Sequence, residues 1–545
     1  MPSLLRMKVL LNAFVLLAGL ILDLSPARAD TLKALAHIGP WPVASQLIGY
    51  QNRLWFATSV KGVNHNSSDL WSLDMATGAT RYERYLFSQD AGIPTVHQDL
   101  LYWPYEDMRD GSGWGAASVT DGTRWSRFHV PTLRAFHLHS LRPWKGTLVG
   151  TTAAYTAGLH VSADNGSTWQ MLTEFKPRVG RFVRLTEIGV ENDNLFAVAS
   201  ERTGPTLMQY ADGKMEDVPG WPKGQDVFAL TTHRDALFSI VGRQGSTVWR
   251  IRNGRPAALG QGEEGWWLRA LTSDGKRLWA VQAKQGGGAV WSSADGDHWQ
   301  KEHDFTGGRA WSIARVDGKT FVGGAGAGGK AIIWGPDGPV ASAAFSNPKS
   351  VLPRSSPTPG KAPITDWQQA NRNMIAAFAA EDNYAGHATP LARLTYTQAL
   401  NSPPDRYFRS LLDFPKPDRQ VDAFGGQFTI STAELANWKM LWGMGLAGEK
   451  QVAPEILKRP WIRTSNGPEK WFDQLLIGLW AIQWSGQNDQ ATMDALINRL
   501  GYDRDPVFIT SQVVGTLNAV TGQRYAYDRQ AWQAWWETNR DTWPK

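Results

Sequence analysis

The chain has no cysteine among its 545 residues. That one absence excludes disulfides, thiolate nucleophiles, iron–sulfur ligation, lipid attachment at a lipobox and covalent c-type haem. Charge is also sparse, at 19% of residues against 42% apolar, and the formal net charge is +6. It falls to +4 once the three basic and one acidic residues of the first 29 are set aside. Over so long a chain that is too little to read as a nucleic-acid surface. Long apolar runs are missing after Leu22, so beyond the N-terminus no stretch reaches the roughly 20 residues a spanning helix needs. What the chain has in excess is 28 Trp and 54 Gly.

Residues 1–29 read as a secretory signal. Arg6 and Lys8 give the positive start, Val9 to Leu22 the apolar run, and Ala27-Arg28-Ala29 a small-residue cleavage site before Asp30. An exported chain without cysteine is expected to be periplasmic or secreted, from a bacterium, with a fold that needs no staples and no membrane span after cleavage.

A Gly turn recurs through the first two thirds of the chain: Thr77-Gly78, Asp121-Gly122, Asn165-Gly166, Asp212-Gly213, Asn253-Gly254, Asp295-Gly296 and Asp337-Gly338. Successive glycines are 44, 44, 47, 41, 42 and 42 residues apart. A period near 43 with Asn-Gly or Asp-Gly inside β-type sequence is what a β-propeller produces, because each blade needs a tight hairpin at the same place. A second register keeps step with the first, in the apolar anchors Leu54, Leu101, Leu148, Leu195, Leu237, Leu278 and Phe321. Each blade is then an inner strand, a second strand carrying the anchor, a third ending before the Gly turn and a fourth after it. Seven units predict seven blades over residues 30–345, with Leu32–Ile38 as the strand that closes the ring.

Residues 346–364 are rich in Pro, Ser and Lys and read as a linker. Beyond it the period changes from two to helical. The pattern predicts helices at 366–381, 390–400, 406–412, 432–446, 469–484, 490–500, 507–520 and 530–539, so residues 365–545 are expected to be an all-α domain. The fold class is therefore multidomain β + α, a seven-bladed β-propeller followed by a helical domain.

Ser162-Ala163-Asp164-Asn165-Gly166-Ser167-Thr168-Trp169 fits the pattern S-x-D-x-G-x-T-W in full. Degenerate copies run from Ser118 to Trp125, with Asp121 and Gly122, and from Ser292 to Trp299, with Asp295 and Gly296. The carboxylate accepts hydrogen bonds from its own turn, Gly supplies positive φ, and Trp packs beneath. On these residues the chain resembles the Asp-box (BNR) propellers of the sialidase-like and photosystem-assembly-factor type. The resemblance implies a structural role for Ser162, Asp164, Gly166, Trp169, Asp121, Gly122, Trp125, Asp295, Gly296 and Trp299, on the face opposite the ligand. Similarly, Leu517 to Trp536, with its Thr521-Gly522 stop and Tyr527-Asp528 start, resembles the closing unit of bacterial HEAT-like repeats, which implies a scaffold or docking surface.

Candidate ligand residues follow from loop position. Arg134, Arg178, Arg181, Arg184, Arg202, Arg243 and Arg309 fall in loops of the expected ligand face, where several together would make a basic mouth for an anion. Tyr155, Trp267 and Trp311 are aromatic platforms on the same rim. His137 and His139 are two apart on an expected inner strand, so their side chains share a face. A metal would need a third ligand, which His65, His97, Glu106 or Asp107 supplies only through the fold, so both read as structural histidines and neither a metal nor a cofactor is expected. The glycine runs 286–288 and 323–329 have no helix behind them and read as loops between second and third strands.

No catalytic constellation is legible in the spacing. The expected function is an exported non-catalytic binding or assembly module for a protein or glycan partner. The alternative is a carbohydrate-active enzyme, a sialidase-like glycoside hydrolase or a lyase, with its site in the propeller mouth.

Overall fold

The Gly-turn repeat folds as its spacing requires. A computed structural model describes residues 30–338, except 62–66, 87, 107–114, 131–136, 155, 181, 243–245 and 262–266. It also describes Leu352, the strands 418–423 and 426–431, positions 457, 458, 475, 479 and 482, and residues 488–543. Seven sheets, one per unit, form a β-propeller, and the six turns from Gly78 to Gly296 each join the third strand of a blade to its fourth. All seven apolar anchors of the second strands are buried, none more than 1% exposed.

The inner strands are Val43–Tyr50, Thr95–His97, His137–Trp144, Arg184–Glu191, Val227–His233, Leu268–Ser273 and Gly308–Val316. Ring closure uses the start of the chain twice. Lys33–Ile38 pairs antiparallel with Ala331–Gly335 as the fourth strand of blade 7, and Asp30–Thr31 pairs parallel with Gln300–Thr306 as a fifth strand of blade 6. Both pairings cover sheet edges that would otherwise offer unpaired backbone groups to other chains.

The Ser162–Trp169 turn shows why that pattern holds a hairpin. Asp164 accepts from the Thr168 backbone N–H at 2.8 Å, Ser162 Oγ accepts from Gly166 N–H at 2.8 Å, and Trp169 donates to the Gly166 carbonyl at 3.1 Å. The Trp169 ring lies 5.5 Å from Phe128 of the preceding blade. The Asp121 and Asp295 turns repeat the carboxylate-to-backbone bonds, and Trp299 again donates to its glycine carbonyl, at 2.8 Å. The backbone N–H and ring of His298 hold the Asp295 carboxyl well below the usual range.

Three of the expected helices are described. α1 (Gln490–Arg499) is N-capped by Asp489; α2 (Val507–Thr521) ends at Gly522, φ +72°; α3 (Arg529–Asn539) is capped by Asp528, which accepts from Ala531 N–H at 2.9 Å. Trp535 and Trp536 stack on each other and meet Trp543 edge-on rather than forming an open platform, and Trp536 is 5% exposed. Leu475, Leu479 and Ile482, inside the expected helix 469–484, are helical and buried. The expected helices at 366–381, 390–400, 406–412 and 432–446 lie outside the described residues. So do residues 1–29 and, apart from Leu352, the expected linker.

The region after the linker is not all-α. Asp418–Ala423 and Gly426–Ser431 pair as an antiparallel hairpin, because Val421, Ala423, Phe428 and Ile430 alternate with polar residues at period two around Phe424-Gly425. Among the described residues no helix is long and apolar enough to cross a membrane.

Nor do the helices stand apart from the ring. They share one apolar core with blade 1, in which Leu496, Val513, Leu517 and Trp532 join Leu70, Tyr82 and Tyr85. At the centre of the contact Asp69, fully buried, accepts from Trp41 at 2.9 Å, Ser511 at 2.8 Å, Tyr82 at 3.4 Å and Tyr527. Burial pushes its carboxyl up to about 7, against these four donors, which favour the charged form. Arg524 reaches Glu83 of blade 1 at 3.0 Å.

α2 approaches blade 1 through Gly515, where a Cβ would lie 2.3 Å from the Tyr85 Cβ. Replacing a helical glycine by alanine ordinarily gains about 1 kcal/mol. Here Gly515→Ala is expected to lose about 1–3 kcal/mol, because the added methyl overpacks the interface. Denaturant midpoints of the two proteins check the sign, and a gain would contradict the close approach.

Candidate functional site

A regular strand alternates its side chains between the two faces of its sheet, and in a propeller both faces of an inner strand pack against neighbouring blades. Six of the seven inner strands interrupt that alternation with a register shift: Ser45/Ile48, Leu138/Ser140, Leu185/Ile188, Val227/Ala229, Leu268/Ala270 and Ala310/Ser312. A bulge leaves a residue outside the ladder and re-aims its side chain. The residues so placed include Gln46, His139, Glu187, Phe228, Arg269 and Trp311, and all six line the cavities of the channel. The larger cavity, of about 770 Å³, runs along the inner strands of blades 1 and 3–7.

On the side of blades 5 to 7 these residues form a ladder of guanidinium and aromatic groups. Arg309 lies 4.5 Å from the Trp267 ring centre and 5.8 Å from that of Trp311. Arg269 lies 4.1 Å from Trp311 and 5.1 Å from Phe228. Burial, and then repulsion from Arg309, lowers the Arg269 guanidinium to about 10, with Asp226 opposing. Among the described residues neither arginine has a hydrogen-bond or ion-pair partner, and aromatic faces flank both cations. Backbone bareness helps to seat Arg309. Gly324 in the second strand of blade 7 has no Cβ, which would otherwise lie 2.1 Å from the Arg309 carbonyl oxygen. The 323–329 run is therefore largely strand, within Lys319–Gly326, rather than the loop its composition suggests, and Gly287 and Gly288 likewise begin the strand Gly287–Ser293.

On the adjacent blade 4 Glu187 accepts from the Leu230 backbone N–H of blade 5 at 2.7 Å. Burial pushes its carboxyl up to about 7, opposed by the Arg142 charge and that hydrogen bond. Arg142 donates to the Pro94 and Leu141 carbonyls at 3.3 and 3.2 Å. Among the described residues of the larger cavity Glu187 is the only carboxylate.

Of the residues singled out by loop position, Trp267, Arg309 and Trp311 come together in the ladder. They sit where inner strands begin, at the end of the ring opposite the third-to-fourth-strand turns that hold Asp164, Asp121 and Asp295. Arg178 is occupied, bonded to Glu201 at 2.7 Å and Asp217 at 2.8 Å. Arg184 and Arg202 are exposed. Arg134, Tyr155, Arg181 and Arg243 lie outside the described residues. His137 and His139 sit on the blade 3 inner strand with rings stacked at 5.2 Å, and the fold adds Glu106 from blade 2: one ligand atom from each of the three lies within 4.8 Å of the others. Of the third ligands left open by spacing, the fold brings Glu106 to the pair, while His65 and Asp107 lie outside the described residues.

Arg269, Phe228 and Glu187 are not found by loop position, because bulges carry no fixed sequence mark. A signal was present in the repeat, however. Trp267-Leu268-Arg269 and Arg309-Ala310-Trp311 lie one 42-residue step apart with aromatic and cation exchanged. Adjacent blades in that register necessarily lay each guanidinium beside an aromatic ring.

No protein-family model and no curated protein matches the chain. Solved structures match as folds. YCF48 bound to a D1 peptide is 14% identical, with 57% of this chain and 99% of that one covered, at a TM-score of 0.39. The β-propeller domain of the Trilobed protease from Pyrococcus furiosus is 11% identical over 54% and 95%, at 0.38. A luciferin-regenerating enzyme is 11% identical over 49% and 95%, at 0.34.

The Glu187 shift fixes the sign of a pH effect. The carboxyl titrates near 4.5 when unfolded and about 7 when folded. Between those values only the folded state holds the proton, so this group's contribution to stability falls as pH rises across the window. Glu187→Gln removes the dependence. Its melting temperature relative to the parent is expected to be higher at about pH 8 than at about pH 5; an equal difference at both would show that the carboxyl is not shifted.

Proposed function

We propose that this chain is an exported, non-catalytic propeller that captures an anionic group of a protein or glycan partner at the channel mouth. The observation that carries the reading is the ladder of Trp267, Arg309, Trp311, Arg269 and Phe228, in which two neighbouring cations lie against aromatic faces and, among the described residues, make no ion pair. Two like charges at close quarters repel, and an anion between them relieves that repulsion while accepting paired N–H groups. The aromatic rings add apolar faces for a side chain or for the C–H face of a sugar. The ligand class is thus a carboxylate or phosphate beside an apolar surface. In this reading residues 1–29 are removed on export, the turns at Asp121, Asp164 and Asp295 are Asp boxes that hold hairpins away from the ligand, and the HEAT-like helices brace blade 1.

Glu187 supports a second reading. A carboxylic acid kept protonated near neutral pH is what a general acid requires, and a glycoside hydrolase would use it with a second carboxylate. Glu187 is the only carboxylate of the larger cavity among described residues, while the adjoining cavity places Asp90 and Glu106 with it, so the turnover assay decides between capture and hydrolysis.

Titration of the full chain with an acidic peptide, an oligo-uronate and a sialyl oligosaccharide, followed by Trp fluorescence and by release of reducing sugar, separates these readings. Binding without turnover is expected for at least one probe, weakened about tenfold or more by Arg309→Ala and by Arg269→Ala. Turnover that is lost in Glu187→Gln would replace capture by hydrolysis. Binding that neither arginine affects would place the ligand elsewhere.

A further inference from the structure

We propose that Glu106, His137 and His139 form a binding site for a divalent transition metal of the Zn²⁺ class, open to the channel mouth. Imidazole nitrogen and carboxylate oxygen are the ligands such an ion prefers, and one carboxylate with two imidazoles leaves positions for water or a ligand. Two atoms each about 2.0–2.2 Å from one ion lie roughly 3–4 Å apart. The three donors, within 4.8 Å of one another, therefore close on an ion by small side-chain rotations.

The surrounding backbone positions them for this. His139 occupies the bulge of the blade 3 inner strand, which turns its ring toward the channel. His137 donates from Nδ1 to the carbonyl oxygen of Glu106. That bond leaves Nε2 as the lone-pair nitrogen of the neutral ring, the arrangement by which an outer hydrogen bond orients a metal-binding histidine. The two strands are stitched beside the site: Leu138 N–H donates to the Tyr105 carbonyl at 3.0 Å, and Ile93 N–H to the His139 carbonyl at 2.8 Å. Both histidines are buried, at 3% and 7% exposure, while Glu106 is half-buried. Glu106 and His139 line a second cavity of about 330 Å³, which shares Gln46, Lys61, Ile93 and Glu187 with the larger one. The open positions of the ion face this space, across the channel from the arginines. The inference stands on the three ligands and does not require the capture reading.

The test uses the full chain expressed without a histidine tag and stripped with a chelator, titrated with Co²⁺, Zn²⁺ and Ca²⁺. One equivalent of Co²⁺ is expected to bind with visible d–d absorption of nitrogen–oxygen ligation, to be displaced by Zn²⁺, and to raise the melting temperature by mass action. Ca²⁺ is expected to compete poorly, since two of the three ligands are nitrogen. His139→Ala, His137→Gln and Glu106→Gln are each expected to weaken binding at least about tenfold, with far-UV circular dichroism showing that each variant folds. If the alanine variant fails to fold, the two glutamine variants and the Co²⁺ spectrum of the parent decide. No binding by the parent at about 100 µM metal, binding unchanged in the folded variants, or Ca²⁺ bound as tightly as Zn²⁺ would each overturn the proposal.

Discussion

Seven sheets arranged in a ring leave one gap, between the first blade and the last, and this chain fills it with its own first strands. The strand Lys33–Ile38 is held by backbone hydrogen bonds to blade 7 and then passes through Gly39 and Trp41 into the inner strand of blade 1. At that junction Asp69 gathers Trp41 from the seam, Tyr82 from blade 1, and Ser511 and Tyr527 from the helices. One buried carboxylate thus ties the seam and blade 1 to helices more than 400 residues further along the chain. Its cost, a charge without a counter-ion in the core, is offset by the donors around it. The helices therefore act on the part of the ring where a propeller is weakest.

The channel follows from the same ring. With the sheets fixed by Leu and Phe anchors and by turns on one end, the inner strands are free to depart from regular pairing at the other. Bulges there turn polar and aromatic side chains toward the mouth without disturbing the packing between blades. This is why strongly shifted groups, Glu187 and Arg269, occur beside the cavity, where partial burial meets solvent access.

Much of the fold was legible in the sequence because a repeated turn and a repeated anchor constrain each other. Gly78 to Gly296 gave the hairpins, Leu54 to Phe321 the buried strands, and Asp528 and Gly522 the helix ends, each through local chemistry acting over a few residues. The site was legible only in part. Trp267, Arg309 and Trp311 were found by their place at strand starts, but Arg269 and Phe228 depend on bulges, and Glu106 meets His139 only because blade 2 lies against blade 3. The hairpin strands 418–423 and 426–431 carry their alternation in the sequence, but the helical period on either side masks it.

The bulges have a consequence for how such a chain diversifies. A residue lifted out of the ladder is dictated neither by its cross-strand neighbour nor by the core behind the sheet. Each of six blades offers at least one such position to the channel, and neighbouring positions such as Phe228, Arg269 and Trp311 touch one another. Exchanging a side chain at one of them therefore rewrites the channel lining and its immediate neighbours while the packing between blades stays intact.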